Sequence, residues 1–140
     1  MTPKFAGRWI RLAGLGLIAF GFVQFTGALD GQMPGRFLAD LFDWPLDGLP
    51  TAPSKEARFM TSLAGSLTAA IGVLFLGLIG PLIEAGDRAA RGVALVSLLM
   101  WVSMDITGSI AVGQLSNIVF CILFFILLAS PLIFVKFQTR

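Results

Sequence analysis

Histidine is absent from the 140-residue sequence, cysteine occurs once, at Cys121, and only 13% of the residues are charged. The missing histidine removes the commonest general base, the commonest metal ligand and the usual axial ligand of haem. Ser-His-Asp and Cys-His nucleophilic sets go with it. A single cysteine allows neither an intrachain disulfide nor a zinc cluster. No long apolar segment contains a lysine in its interior, which excludes a pigment held there as a Schiff base. The glycines of LAGLGLIAFG follow no strand and precede no Lys-Ser/Thr pair, so they form no phosphate-binding loop. The acids are dispersed, without paired carboxylates or a metal cage. No catalytic set emerges, and the chain reads as a non-enzyme.

What the sequence has is apolar surface. Hydrophobic residues make up 56% of it and the mean hydropathy is +0.88. A soluble domain carries about 45–50% apolar and about 25% charged residues. A water-soluble chain this short could not bury so much apolar surface, because small domains leave a large fraction of theirs exposed. The solvent is therefore partly hydrocarbon, and the chain reads as one transmembrane domain spanning residues 1–140. The net charge of +2 and pI of 9.2 do not indicate a nucleic-acid partner. The basic residues stand in ones and twos at the ends of apolar segments, where they orient membrane helices.

About 20 predominantly apolar residues are needed to cross the hydrocarbon as a helix. Four segments qualify, at about residues 9–29, 61–83, 92–113 and 117–137. Lipid offers no partner to peptide groups, and the alternation of a β-barrel is missing, so all four are helices. The fold class is all-α: a polytopic four-transmembrane-helix bundle. The first segment also resembles a signal peptide in its basic start. Its apolar part exceeds a signal core, and it reads as a true span. Lys4, Arg8, Arg11, Arg88, Arg91, Lys136 and Arg140 fall on one side of these spans, and Arg36, Lys55 and Arg58 on the other. The positive-inside bias then places both termini in the cytoplasm, and an even number of spans requires them to share a side.

Residues 30–60 form the one long outer loop. Pro34, Pro45, Pro50 and Pro53 break any continuous helix there. Within it, RFLADLFDW places Phe37, Leu38, Leu41 and Phe42 at helical spacing, opposite Arg36, Asp40 and Asp43. The pattern predicts a short amphipathic helix in the membrane interface, with Trp44 at headgroup depth. Phe37, Leu41, Phe42 and Trp44 are candidate partner contacts, the alternative being that the loop only lids the bundle. Ser54 is the expected N-cap of the helix entering the second span.

The third span holds the one acid inside an apolar stretch, in WVSMDITGS. Ser97, Trp101, Asp105 and Ser109 are spaced by four, which puts them on one helix stripe. Gln114 and Asn117 follow at the outer end. Asp105 lies about 12 Å from that boundary at about 1.5 Å per residue. An ionised carboxylate there costs on the order of 2.5–3.5 kcal/mol, so it faces the bundle interior or a hydrated cavity. Ser109, Gln24 of the first span, and Ser66 and Thr68 of the second are candidate partners. Asp105 reads first as a polar clasp between helices. A proton or ion site and a link to another subunit or a bound lipid, quinone or pigment remain open. In the second span, Ser62, Ser66 and Ala70 share one stripe and Gly65, Ala69 and Gly77 another; Gly14, Gly16 and Gly21 answer from the first. Such small faces let helix backbones approach closely. The fourth span is bulky all round, with Phe120, Phe124, Phe125 and Phe134, and suits an outer wall with Phe124 and Phe125 as contacts. Pro131 is expected to kink its end, and Cys121 reads as an apolar filler.

The basic start of a glycine-rich first helix, RWIRLAGLGLIAFG, together with the length and the long outer loop, resembles small four-helix bacterial inner-membrane proteins of the DoxX-like kind. The likeness covers nearly the whole chain as architecture. It implies a bacterial inner membrane and an association with quinol oxidation, and it transfers no site residue. The leading expectation is a non-catalytic accessory or assembly subunit of a larger membrane complex, respiratory or photosynthetic. Its partners would be membrane lipids and other membrane subunits, or further copies of itself. The alternatives are a small proton- or ion-coupled transporter component using Asp105 and a quinone-associated oxidoreductase subunit. No cofactor or metal is expected from the residues themselves.

Overall fold

The chain is described from a computed structural model that covers residues 1–30, 40 and 54–137. The expected amphipathic helix of the outer loop, with Phe37, Leu41, Phe42 and Trp44, lies outside the described residues. Every described element is helical: α1 (Pro3–Asp30), α2 (Lys55–Leu74), a π turn (Phe75–Ile79), α3 (Gly80–Glu84), α4 (Arg88–Val112) and α5 (Leu115–Phe134). α2, the π turn and α3 run on as one rod, Lys55–Glu84, so four helices are long and apolar enough to cross a membrane. The protein is thus all-α, with four spans, consistent with a four-helix bundle. Only 17–28% of the most apolar stretch of each span is buried within the chain. In water that exposure would be ruinous, whereas in hydrocarbon it carries no penalty.

Helix ends follow from local chemistry. The Ser54 hydroxyl accepts from Ala57 N at 3.2 Å and opens α2 as an N-cap. Between α3 and α4, Gly86 takes φ of 86° and its N–H reaches Ile83 O at 3.0 Å. That left-handed step suits glycine and ends α3. Asp87 follows at once as the N-cap of α4, its Oδ1 accepting from Ala89 N at 2.8 Å and Ala90 N at 3.0 Å. Gly113, with φ of 76°, ends α4 in the same manner. Only Gly113 and Gln114 separate α4 from α5. A link that short makes the two an antiparallel hairpin.

Two compact units are distinguished along the chain. The first comprises residues 1–15 and 73–140 and contains the largest fully buried side chains among the described residues: Ile10, Ile83, Pro131, Leu132 and Cys121. Here the start of α1 lies directly on α3. A Cβ added at Gly7 would stand 2.5 Å from Gly80 O, and one at Gly80 would stand 3.0 Å from Gly7 O. Arg11 clamps the pair with an ion pair to Glu84, 3.4 Å from Nη1 to Oε1. That bridge is half exposed at the arginine and contributes little by itself.

The proline inside α5 shapes the other contacts of this unit. Pro131 has no N–H, so the carbonyl of Leu127, four residues earlier, has no helical donor. The Trp9 indole supplies it, with Nε1 3.0 Å from Leu127 O. One turn on, Leu132 O is at the helix end and accepts Arg91 Nε at 2.8 Å. The Arg91 guanidinium also lies 5.9 Å from the centre of the Phe137 ring. Side chains from α1 and α4 thus satisfy the carbonyls that proline and helix termination leave open. Trp9→Phe should cost about 1–3 kcal/mol by orphaning the Leu127 carbonyl. Adding Pro131→Ala, which restores a helical donor, should recover most of that loss; equal melting losses with and without the second change would refute the assignment.

The second unit, residues 16–72, has no fully buried large side chain among its described residues. Its helices meet through backbone instead. A Cβ at Gly21 would stand 2.5 Å from Gly65 O and 2.6 Å from Ala69 N, and one at Gly65 would stand 2.6 Å from Gly21 O. Gly16 and Gly77, by contrast, have nothing within 4 Å. Gly72 is buried, three residues before the π turn. The π turn at Phe75–Ile79 takes in one residue more than an α-helix would. Hydroxyls along the spans turn back on their own helices, as in Ser66 Oγ to Leu63 O at 2.9 Å and Thr107 Oγ1 to Ser103 O at 2.7 Å. They are thereby satisfied without water.

Candidate functional site

The hairpin of α4 and α5 concentrates the polar chemistry of the spans. Asp105 and Ser109 stand four apart on α4, and Asn117 and Cys121 stand four apart on α5. Spacing by four puts each pair on one face of its helix. The two-residue turn then runs the helices back on each other, bringing Asp105 opposite Cys121 and Ser109 opposite Asn117. Ser109 and Cys121 are buried and Asp105 is half-buried.

All donors in this seam converge. Asn117 Nδ2 lies 2.8 Å from Ser109 Oγ and 3.3 Å from Asp105 Oδ1. The Cys121 thiol donates to Asp105 Oδ2 at 2.8 Å. Ser109, free to accept from Asn117, gives its own proton to the backbone carbonyl of Asp105 at 2.8 Å. Asp105 therefore receives neutral donors on both carboxylate oxygens. No lysine or arginine occurs in the sequence between Arg91 and Phe134 to provide a counter-charge. Asp105 is seven residues from Val112, the last residue of α4, or about 10 Å along the axis.

The remaining candidates are placed elsewhere. Ser97 is exposed, and Trp101 is 36% exposed. The stripe seen in the sequence winds around α4, and only its Asp105–Ser109 half enters the seam. Gln114 sits in the turn, where its Nε2 donates to Ser116 Oγ at 3.0 Å. Gln24 belongs to the other unit, and its Oε1 is buried without a hydrogen-bond partner. Phe124 and Phe125 are half-buried on α5. Cys121 is the residue whose part in the cluster the sequence reading missed. Counting outward from a two-residue turn would have found it, since the register that pairs 109 with 117 also pairs 105 with 121.

A thiol hydrogen-bonded to a carboxylate that a third group orients has the outline of a nucleophile, base and positioning residue. Cys121, however, is only 2% exposed, so no acyl group can reach its sulfur. Among the described residues no group of three or more His, Cys, Asp or Glu side chains could hold a metal ion. What the arrangement does is tie α4 to α5 near the hairpin end. Side-chain hydrogen bonds between membrane helices contribute about 0.6 kcal/mol each and up to about 1.7. No protein-family model, curated protein or solved structure matches the chain.

Proposed function

We propose that this protein is a non-catalytic accessory or assembly subunit of a larger membrane complex, held in the bacterial inner membrane with both termini in the cytoplasm. The outer face of α4 is the observation that carries this reading. Gly92, Ser97, Ser103, Thr107 and Gly108 are exposed there among the bulkier Val93, Val96, Met100 and Met104, and an added Cβ at Gly92 or Gly108 would meet nothing within 4 Å. Small and hydroxylated residues are enriched where membrane helices meet, because they let backbones approach and hydrogen-bond across the contact. The topology is supported by the seven basic residues at one set of span ends against three at the other. A complex associated with quinol oxidation is the setting that the resemblance to DoxX-like proteins implies.

Extraction in a mild detergent followed by mass spectrometry of the copurifying chains tests the proposal. A larger membrane protein in fixed stoichiometry is the expected result, lost on Gly108→Leu. Recovery of the chain by itself, or only with copies of itself, would end the accessory-subunit reading.

A second reading has one observation in its favour. Asp105 is a half-buried carboxylate surrounded only by neutral donors, a setting in which a proton or a monovalent cation could be bound. On that reading Asp105→Asn stops flux across vesicles while the fold survives. If the variant transports as the parent does, the clasp is the residue's whole role.

A further inference from the structure

We propose that the basic end of the first unit binds the headgroup of an anionic glycerophospholipid, with Lys4, Arg8 and Lys136 on its phosphate and the face of Phe5, Trp9 and Leu12 along its acyl chains. The inference rests on the membrane placement and is independent of the subunit role. Charge at this end is unevenly satisfied. Of the two acids, Glu84 is paired with Arg11, and Asp87 caps α4 through Ala89 and Ala90. Arg91 is engaged by Leu132 O and the Phe137 ring. Lys4, Arg8 and Lys136 are exposed and hold no ion pair or side-chain hydrogen bond among the described residues.

These three cations belong to one locality. Lys4 and Arg8 are four apart on α1, hence on one face. The backbone N–H of Lys136 donates to Met1 O at 3.0 Å, which holds the segment after α5 against the start of α1. Beside the cations, the rings of Phe5 and Trp9 stack with centroids 6.4 Å apart. Phe5 is 53% exposed and Leu12 64% exposed. The Trp9 hydrogen bond to Leu127 fixes this aromatic step against α5. Aromatic rings at headgroup depth with basic residues just beyond them match an amphiphile that is negative at one end and apolar at the other. A soluble phosphate would use the cations and leave the apolar step idle, so the occupant is a lipid.

Native mass spectrometry of the purified full chain in detergent, titrated with phosphatidylglycerol or phosphatidylcholine of matched acyl chains, reads the preference directly. Orientation in a bilayer is then not involved. Retention of the anionic lipid by about tenfold over the zwitterionic one is expected. Lys4→Gln, Arg8→Gln and Lys136→Gln together should bring the two within about twofold, while Phe5→Ala should weaken both lipids alike. Equal retention by the parent chain overturns the proposal, and so does a preference that survives the triple change. Displacement of the lipid by millimolar glycerol phosphate overturns it too, because the headgroup would then suffice. Should the triple variant not fold, the three single changes decide: each must lower the preference, and no change in any of them refutes the site.

Discussion

Gly21→Leu should leave almost no folded protein. The new side chain would start 2.5 Å from Gly65 O and 2.6 Å from Ala69 N, both backbone atoms with no rotamer to give way. Overpacking a close contact costs about 1–3 kcal/mol where side chains can shift. Here the helices themselves must separate, so the loss belongs at or above about 3 kcal/mol. In lipid, association of these helices rests on dispersion across that close approach, because hydrocarbon gives no hydrophobic drive between them. Thermal unfolding in detergent, followed by circular dichroism and by size exclusion, measures it. The comparison is Gly16→Ala, which has open space around it. Its melting temperature should hold or rise, since alanine favours a helix over glycine by about 1 kcal/mol. A Gly21→Leu chain that melts with the parent would show that the α1–α2 approach is not what holds the second unit together.

The second large effect is expected at the seam of α4 and α5. Asn117→Leu removes a donor from Asp105 Oδ1 and from Ser109 Oγ at once. A half-buried carboxylate is then left with the Cys121 thiol as its remaining side-chain donor. Two side-chain hydrogen bonds are lost together, at about 0.6 kcal/mol each and up to about 1.7 in a membrane, so the single change should cost about 1–3 kcal/mol. Asp105→Leu in the same chain should return at least half of it, because apolar replacement of both partners abolishes the unmet demand. The double-mutant cycle in detergent gives the coupling. Additive losses would mean that Asn117 and Asp105 do not act together. Asp105→Asn, which keeps a polar side chain of nearly the same shape, should change stability far less than Asn117→Leu.

How much of this was readable beforehand varies with the distance over which the cause acts. Ser54 as a cap and the four spans rest on neighbouring residues, and each was visible in the linear pattern. The polar seam was half visible. Asp105 and Ser109 stood out as a spaced pair, and Asn117 as an outer polar residue. The hydrogen bond from Cys121 did not, because cysteine in an apolar run looks like any small hydrophobe until the hairpin register is known. Pro131 was expected as a kink, and what the sequence concealed was the compensation by Trp9, more than a hundred residues away.

Medium and secondary structure therefore belong to the sequence alone. Composition forces hydrocarbon around the chain, hydrocarbon forces helices, and run length sets four of them, all of which are sums over local residues. Which glycines touch was decided only by the tertiary structure. Gly21 and Gly65 meet, Gly7 and Gly80 meet, and Gly16 and Gly77 face open space, although all six look alike in the sequence. A glycine has no side chain to announce its neighbour. Its contact depends on helix rotation. A rotation of that kind is fixed by packing between distant segments, and no local pattern records it.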